Sequence, residues 1–213
     1  MATAVGKQFP DLNVDAMNEM GDTFKVNVLE EAKKNNKKVL LFWYPKDFTF
    51  VCPTELHAFQ AALGEFEKRN TIVIGASCDT PEVHFAWLSQ AKENGGIEGV
   101  TYPLLADSNR NLSSILGILD ITNETYDEVT GTVQVEGDNV TYRATYIIDE
   151  EGIVQHASIN NMPIGRNVGE YLRLVDALTH VQEKGEVCPA NWEEGKDAMS
   201  ANAKGTAAYL ATH

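Results

Sequence analysis

A sulfur nucleophile at the opening of a helix is the first feature of this 213-residue chain that points to chemistry. The segment Pro45-Lys46-Asp47-Phe48-Thr49-Phe50-Val51-Cys52-Pro53-Thr54-Glu55 follows an apolar run, Val39 to Tyr44, and precedes a stretch with helical spacing. Cys52 therefore falls in an expected first turn. Unpaired backbone N–H groups and the positive end of the helix dipole there favour thiolate over thiol. Pro53 fits, since a first-turn position tolerates a missing N–H. A free thiol, with a pKa of about 8.5, is a few per cent thiolate at pH 7, so full ionisation gains only about 30-fold. Anything faster must come from positioning the substrate and stabilising charge on a leaving atom. Thr49 offers a hydroxyl beside the sulfur. A cationic fork is the other need, and arginine suits it better than lysine because it stays charged and donates in a fixed plane. From spacing alone, an inert buried cysteine at a strand–helix junction explains Cys52 equally well.

The elements that must position this cysteine are legible in outline. Val39 to Tyr44 and Thr71 to Ser77 are continuous apolar runs, as strands covered on both faces should be. Between them Leu56, Phe59, Leu63 and Phe66 recur at helical spacing, predicting one amphipathic helix over Pro53 to Arg69 and so a βαβ unit. Thr80 and Pro81 open a further helix running to about Glu93, and Ser108 caps a shorter one ending near Leu116. Thr132 to Glu136 and Val140 to Asp149 flank the turn cluster Gly137-Asp138-Asn139, predicting a hairpin, and Ile153 to Ile159 adds another strand. Val168 to Glu183 is amphipathic again. Gly185 to His213 is rich in Ala, Gly and Asn, has little periodicity and reads as an arm. The expectation is an α/β domain over residues 1–184, with a mixed central sheet, helices on both faces and a thioredoxin-like arrangement, followed by a C-terminal arm over 185–213.

Composition removes several function classes. The formal net charge is −14, so nucleic acid and anionic membrane surfaces are poor partners. No apolar stretch is long enough to span a bilayer, and the first twelve residues carry no secretory pattern, which makes a cytoplasmic location the expectation. Three widely spaced cysteines, Cys52, Cys78 and Cys188, do not make a disulfide scaffold. No metal, haem or flavin motif appears, so the chemistry is expected to rest on cysteine without a cofactor. A zinc site on Cys52 and His57 lacks further ligands at metal spacing.

The run PKDFTFVCPTE resembles the P-x-x-x-T-x-x-C signature of peroxiredoxins, here Pro45, Thr49 and Cys52. Glu186-Val187-Cys188-Pro189-Ala190-Asn191-Trp192 is similar to the V-C-P-x-x-W resolving block of the typical two-cysteine class. Thr141 to Asp149 and Pro163-Ile164-Gly165-Arg166 match as well, so the resemblance covers nearly the whole chain. It implies a thiol-dependent peroxidase acting on hydrogen peroxide and organic hydroperoxides. Cys52 would be the peroxidatic cysteine, with Thr49 and Arg143 bonding peroxide and thiolate. Pro45 would shield the sulfenic acid, and Glu55 would orient Arg143 and Arg166. Cys188 from a partner subunit's arm would resolve the sulfenic acid as an intersubunit disulfide. A thioredoxin-like protein or a flavoprotein would re-reduce it. The implied assembly is a homodimer, and five dimers would form a decamer.

Without the resemblance these residues read plainly: Arg143 as a rim arginine, Glu55 as a first-turn carboxylate, Arg166 as a loop charge, Cys188 as an incidental thiol. Cys78 has no part in the pattern and is expected to be a packing residue. A thioredoxin-type reductase would need a C-x-x-C pair, and a cysteine hydrolase a histidine in a recognisable motif; neither is present. A holdase or redox-relay role would be a second function of the same assembly. Two stretches depart from the family pattern. Asn123 to Asn139 lengthens the connection before Arg143 and predicts an acidic surface hairpin. Gly95-Gly96-Ile97-Glu98-Gly99 and Tyr209-Leu210 match only partly the elements of members sensitive to over-oxidation, which predicts intermediate sensitivity.

Overall fold

In the computed structural model, residues 4–213 are described. They form two compact units that divide between Arg166 and Asn167. The first holds nine strands: β1 (Asn13–Met17), β2 (Thr23–Asn27), β3 (Lys38–Trp43), β4 (Thr71–Ser77), β5 (Leu104–Ala106), β6 (Asn123–Asp127), β7 (Thr132–Glu136), β8 (Arg143–Ile148) and β9 (Val154–Asn160). Its helices are α1 (Val28–Asn35), α2 (Cys52–Ala61), α3 (Leu63–Lys68), α4 (Pro81–Leu88) and α5 (Asn111–Leu116).

Seven strands make one mixed sheet in the order β2-β1-β5-β4-β3-β8-β9. Every residue of β3 is buried, as its unbroken apolar run requires. It pairs in parallel with β4, Leu40 opposite Val73, and antiparallel with β8, Leu40 opposite Ile147. This is the expected α/β class, with β3-α2-β4 as its βαβ unit. Val39, Leu41 and Trp43 of β3 lie in one core cluster with Ile74, Leu105, Leu112, Tyr146 and Ile148. No helix among the described residues is long and apolar enough to cross a membrane.

Two expectations are corrected. The helix expected over Pro53 to Arg69 is broken into α2 and α3 at Ala62, where the backbone leaves helical geometry (φ −95, ψ 1). Gly64, a poor helix former, follows the break, and both Phe59 and Phe66 stay buried on either side of it. Strand β7 pairs with β6 rather than with β8. Both edges of β8 are taken by β3 and β9, so β7 has no edge to join. The turn before β7 is closed locally: Asp127 accepts from the Val129 and Thr130 N–H groups, and Gly131 sits at φ +67.

The loop after α4 is pinned to α2. His57 of α2 lies 3.1 Å from the Gly96 carbonyl, and the Trp87 indole N–H donates to the Gly95 carbonyl at 3.0 Å. A side chain on Gly96 would be driven into the Gln90 backbone carbonyl. Gly96→Ala is therefore expected to cost about 1–3 kcal/mol, read as a lower midpoint in chemical denaturation. An unchanged midpoint would contradict this packing.

The second unit holds α6 (Val168–Lys184) and α7 (Ala203–Leu210), capped by the Asn167 and Asn202 side chains. The connecting segment is tied by a bridge between Val187 and Met199.

Candidate active site

Cys52 is the first residue of α2, Pro53 follows it, and the thiol is fully buried. The loop before it leaves the end of β3. Thr141 anchors that end by donating its hydroxyl to the Tyr44 carbonyl at 2.9 Å. Within the loop Phe48 adopts φ +55, a conformation uncommon outside glycine and a mark of local strain.

Three charged side chains converge beneath the sulfur, all almost fully buried: Glu55, Arg143 and Arg166. Arg143 opens β8 and places Nη1 at 3.3 Å from Cys52 Sγ and 2.7 Å from Glu55 Oε2. Its Nε donates to the Met162 carbonyl at 2.6 Å, which fixes the plane of the fork. Arg166 meets Glu55 bidentately, at 3.0 Å to Oε1 and 2.9 Å to Oε2, and its backbone N–H donates to Oε1 at 2.9 Å. The Arg166 guanidinium also donates to the Ala144 carbonyl and lies 5.1 Å from the Phe42 ring centroid. Two guanidiniums against one carboxylate leave one positive charge in a dry site. A thiolate at Sγ neutralises it. The residues sequence reading took singly as rim, helix and loop charges thus form one buried cluster around the sulfur.

Thr49 and Pro45 are placed differently. Pro45 is buried at the start of the loop. The Thr49 hydroxyl donates to the Lys46 carbonyl at 3.0 Å rather than to the sulfur.

Sequence reading missed a second network that holds the loop. The Tyr44 hydroxyl donates to Asp47 at 2.8 Å, His84 Nδ1 lies 2.8 Å from the other Asp47 oxygen, and the Asp47 N–H donates to Asp79 at 2.8 Å. His84 Nε2 faces the Leu105 carbonyl at 3.1 Å, so both ring nitrogens face acceptors, as in an imidazolium. Burial pushes His84 down, but the Asp47 bond and charge with the Leu105 carbonyl outweigh it and hold the imidazole above its ordinary value. No spacing signal joins residues 47 and 84; only the fold brings them together. Asp47, Asp79 and His84 have potential ligand atoms within 4.8 Å of one another. The Asp47 carboxylate already bonds His84 and Tyr44, and the Asp79 carboxylate accepts from the Asp47 N–H and the Ser77 hydroxyl, so the cluster acts as a hydrogen-bonded brace for the loop.

Comparison with known proteins decides the family. Residues 5–157 match the AhpC/TSA family model, and residues 177–212 match the C-terminal domain of 1-Cys peroxiredoxin. The chain is 39% identical to Peroxiredoxin-2 of Bos taurus, the match covering 98% of this chain and 96% of the relative. It is 40% identical to Alkyl hydroperoxide reductase C of Helicobacter pylori, over 97% and 96%. The reduced 2-Cys peroxiredoxin of Plasmodium vivax superposes with a TM-score of 0.87 at 38% identity, covering 99% of this chain and all of that one.

The chain belongs to the AhpC/TSA family, the peroxiredoxins. It is a thiol-dependent peroxidase with the thioredoxin-like fold of that family.

The other two thiols of this peroxiredoxin sit in contrasting places. Cys78 opens the loop after β4 and lies 3.7 Å from the Ser113 hydroxyl. Burial pushes its thiol up to about 11. At pH 8 only about one molecule in 10³ would carry the thiolate there, since each unit below the pKa removes a factor of ten. Cys78 is expected to resist iodoacetamide in the native protein at pH 8 and to react once urea unfolds it, as followed by mass spectrometry. Native alkylation matching the unfolded rate would contradict this.

Cys188 lies in the second unit and is half-buried, its thiol 3.7 Å from the Ala177 carbonyl. Burial also pushes it above the ordinary thiol value, with Arg173 opposing and Glu186 adding to the shift. Arg173 donates to the Trp192 carbonyl at 3.2 Å, and the His180 ring lies against that indole at 4.9 Å.

Proposed function

We propose that Cys52 is the peroxidatic cysteine of this enzyme and Cys188 its resolving cysteine. The observation that carries the Cys52 assignment is the Arg143 guanidinium 3.3 Å from Cys52 Sγ, held by a buried carboxylate that Arg166 also grips; the Cys188 assignment rests on the resemblance of residues 186–192 to the resolving block. The thiolate attacks the near oxygen of hydrogen peroxide or an organic hydroperoxide. The O–O bond breaks, the far oxygen leaves as hydroxide or alkoxide and takes a proton, and Cys52 becomes a sulfenic acid. Arg143 stabilises the charge moving onto the leaving oxygen, and Arg166 acts through Glu55 by fixing it. Thr49, released from the Lys46 carbonyl, offers its hydroxyl to the peroxide. Pro45 closes the loop side of the sulfur against water.

Cys188 then attacks the sulfenic sulfur, water leaves, and a disulfide joins residues 52 and 188. We place Cys188 on the partner subunit's arm, residues 185–213, in a homodimer that assembles further to a decamer in the cytoplasm. A thioredoxin-like protein or a flavoprotein returns two electrons. The raised Cys188 thiol is mostly protonated at neutral pH. The peroxide-independent resolution phase in stopped-flow traces is therefore expected to accelerate as pH rises through the raised value; a phase flat from pH 6 to 9 would contradict this. In a one-cysteine cycle an external thiol would replace Cys188. Trapping with dimedone after one equivalent of peroxide in Cys188→Ser tests the assignment. The label belongs on Cys52; a label on Cys78 with Cys52 unmodified would overturn it.

A further inference from the structure

Strands β6 and β7 form a two-stranded sheet of their own, outside the main sheet. Nine of their ten residues are exposed. A lone two-stranded hairpin is marginal in water and gains nothing from burial of its own. Yet its sequence is sorted by face. The register sets Tyr126 opposite Val133 and Glu124 opposite Val135 on one face, and the pairs Asn123–Glu136, Thr125–Gln134 and Asp127–Thr132 on the other. One face thus carries an exposed stripe of Tyr126, Val133 and Val135, with Val129 at the tip 95% exposed. The same stretch holds Asp120, Glu124, Asp127, Glu128, Glu136 and Asp138, with Glu124 on the face of the stripe and Asp127 and Glu136 on the opposite one, and no lysine, arginine or histidine occurs from Asn111 to Tyr142.

The base of the hairpin is fixed. The Asp120 N–H donates to the Val140 carbonyl at 2.8 Å, and the Thr122 N–H to that of Glu136 at 2.9 Å. Tyr142 donates to the Asp120 carboxylate at 2.6 Å, and Arg110 to the Asn139 carbonyl at 2.8 Å. Gly137 turns the chain at φ +113, packed too closely on the Asp120 carbonyl for any side chain. Seven residues beyond Glu136 the chain reaches Arg143, the fork on Cys52. The hairpin is therefore rooted at the end of the sheet that holds the reacting sulfur.

We propose that this hairpin is the docking surface for the protein that reduces the Cys52–Cys188 disulfide, a dithiol protein with a basic, partly apolar face. The inference rests on the two-cysteine reading above. Charge selects the occupant: a second copy of the hairpin would set one acidic hairpin without a basic residue against another, whereas a basic surface is steered in and then covers the apolar stripe. One donor thiolate attacks a sulfur of the disulfide, giving a mixed disulfide and freeing the other cysteine. The donor's second thiol then attacks the donor sulfur of the mixed disulfide, and the remaining peroxidase cysteine leaves as a thiolate and takes a proton. The donor leaves as a disulfide, having supplied two electrons and two protons.

Steady-state peroxide consumption tests this, with dithiothreitol or with either of two thioredoxins of opposite net charge as donor, each recycled by its reductase. The variants are Glu124→Gln/Asp127→Asn/Glu128→Gln and Tyr126→Ser/Val133→Thr. With the basic thioredoxin, kcat/KM is expected to fall about tenfold or more in each variant, and in the wild type to fall steeply with salt, while dithiothreitol supports every form equally. Wild-type kcat/KM with the basic thioredoxin in both variants would overturn the proposal. So would an altered oligomer size on gel filtration with donor kinetics unchanged, which would assign the hairpin to a contact between copies. A wild type that no donor recycles, dithiothreitol included, would instead bring down the two-cysteine reading beneath it.

Discussion

Cys52→Ser is expected to abolish peroxide reduction from the first turnover, whereas Cys188→Ser keeps the first turnover and then stalls. A serine hydroxyl is far too weak an acid to ionise where Cys52 sits, and neither remaining thiol has a guanidinium fork against its sulfur. Cys78 is held at about 11 by burial and Cys188 is also raised, so both are poor thiolates at neutral pH. The rate constant for hydrogen peroxide in Cys52→Ser should fall at least about 10³-fold, to that of ordinary protein thiols, because positioning and charge stabilisation are lost together. Competition against a peroxide-sensitive dye measures it. A Cys52→Ser protein within tenfold of the wild type would mean the chemistry lies elsewhere.

Arg143→Met should have the next largest effect, a fall of about 10²–10³ in the second-order rate constant for peroxide, the cost of losing one preorganised charge donor. Lysine should recover little of it. The arginine meets Cys52 and Glu55 with Nη1 and the Met162 carbonyl with Nε, a planar set that one ammonium cannot reproduce. Stability should fall too, since breaking a buried ion pair costs about 3–5 kcal/mol, though Glu55 keeps its bidentate partner Arg166, which places the loss toward the lower end. Stopped-flow kinetics and urea denaturation read the two effects separately. A variant that loses stability while keeping its rate constant would reduce Arg143 to a structural brace.

The reacting sulfur was legible in sequence because its position follows from local rules: an apolar strand, a loop and a helix opening with Cys52-Pro53. The strands β3 and β4 follow from unbroken apolar runs and the helix α6 from its helical spacing, which are local signals too. Arg143, Glu55 and Arg166 are different. Their separations in the chain carry no period, and only the pairing of β8 with β3 brings the first beside the sulfur, so resemblance named them and geometry alone could join them. The brace of Tyr44, Asp47 and His84 had no such help and went unseen. Strand β7 was legible as a strand but its partner in two ways, with β8 across Gly137-Asp138-Asn139 or inside a surface hairpin over Asn123 to Asn139; the second holds, because pairing depends on which edges the rest of the sheet leaves open. Strands β1, β2 and β5 are short, and β5 spans only Leu104–Ala106, too few residues to declare a period.

The most direct test of the two-cysteine cycle is the fate of the reduced protein after one equivalent of hydrogen peroxide on non-reducing gels, for the wild type, Cys52→Ser and Cys188→Ser. A disulfide-linked dimer that maps to Cys52–Cys188 is expected in the wild type and is absent from both variants. A wild type that stays monomeric on the gel with Cys52 unoxidised would contradict it.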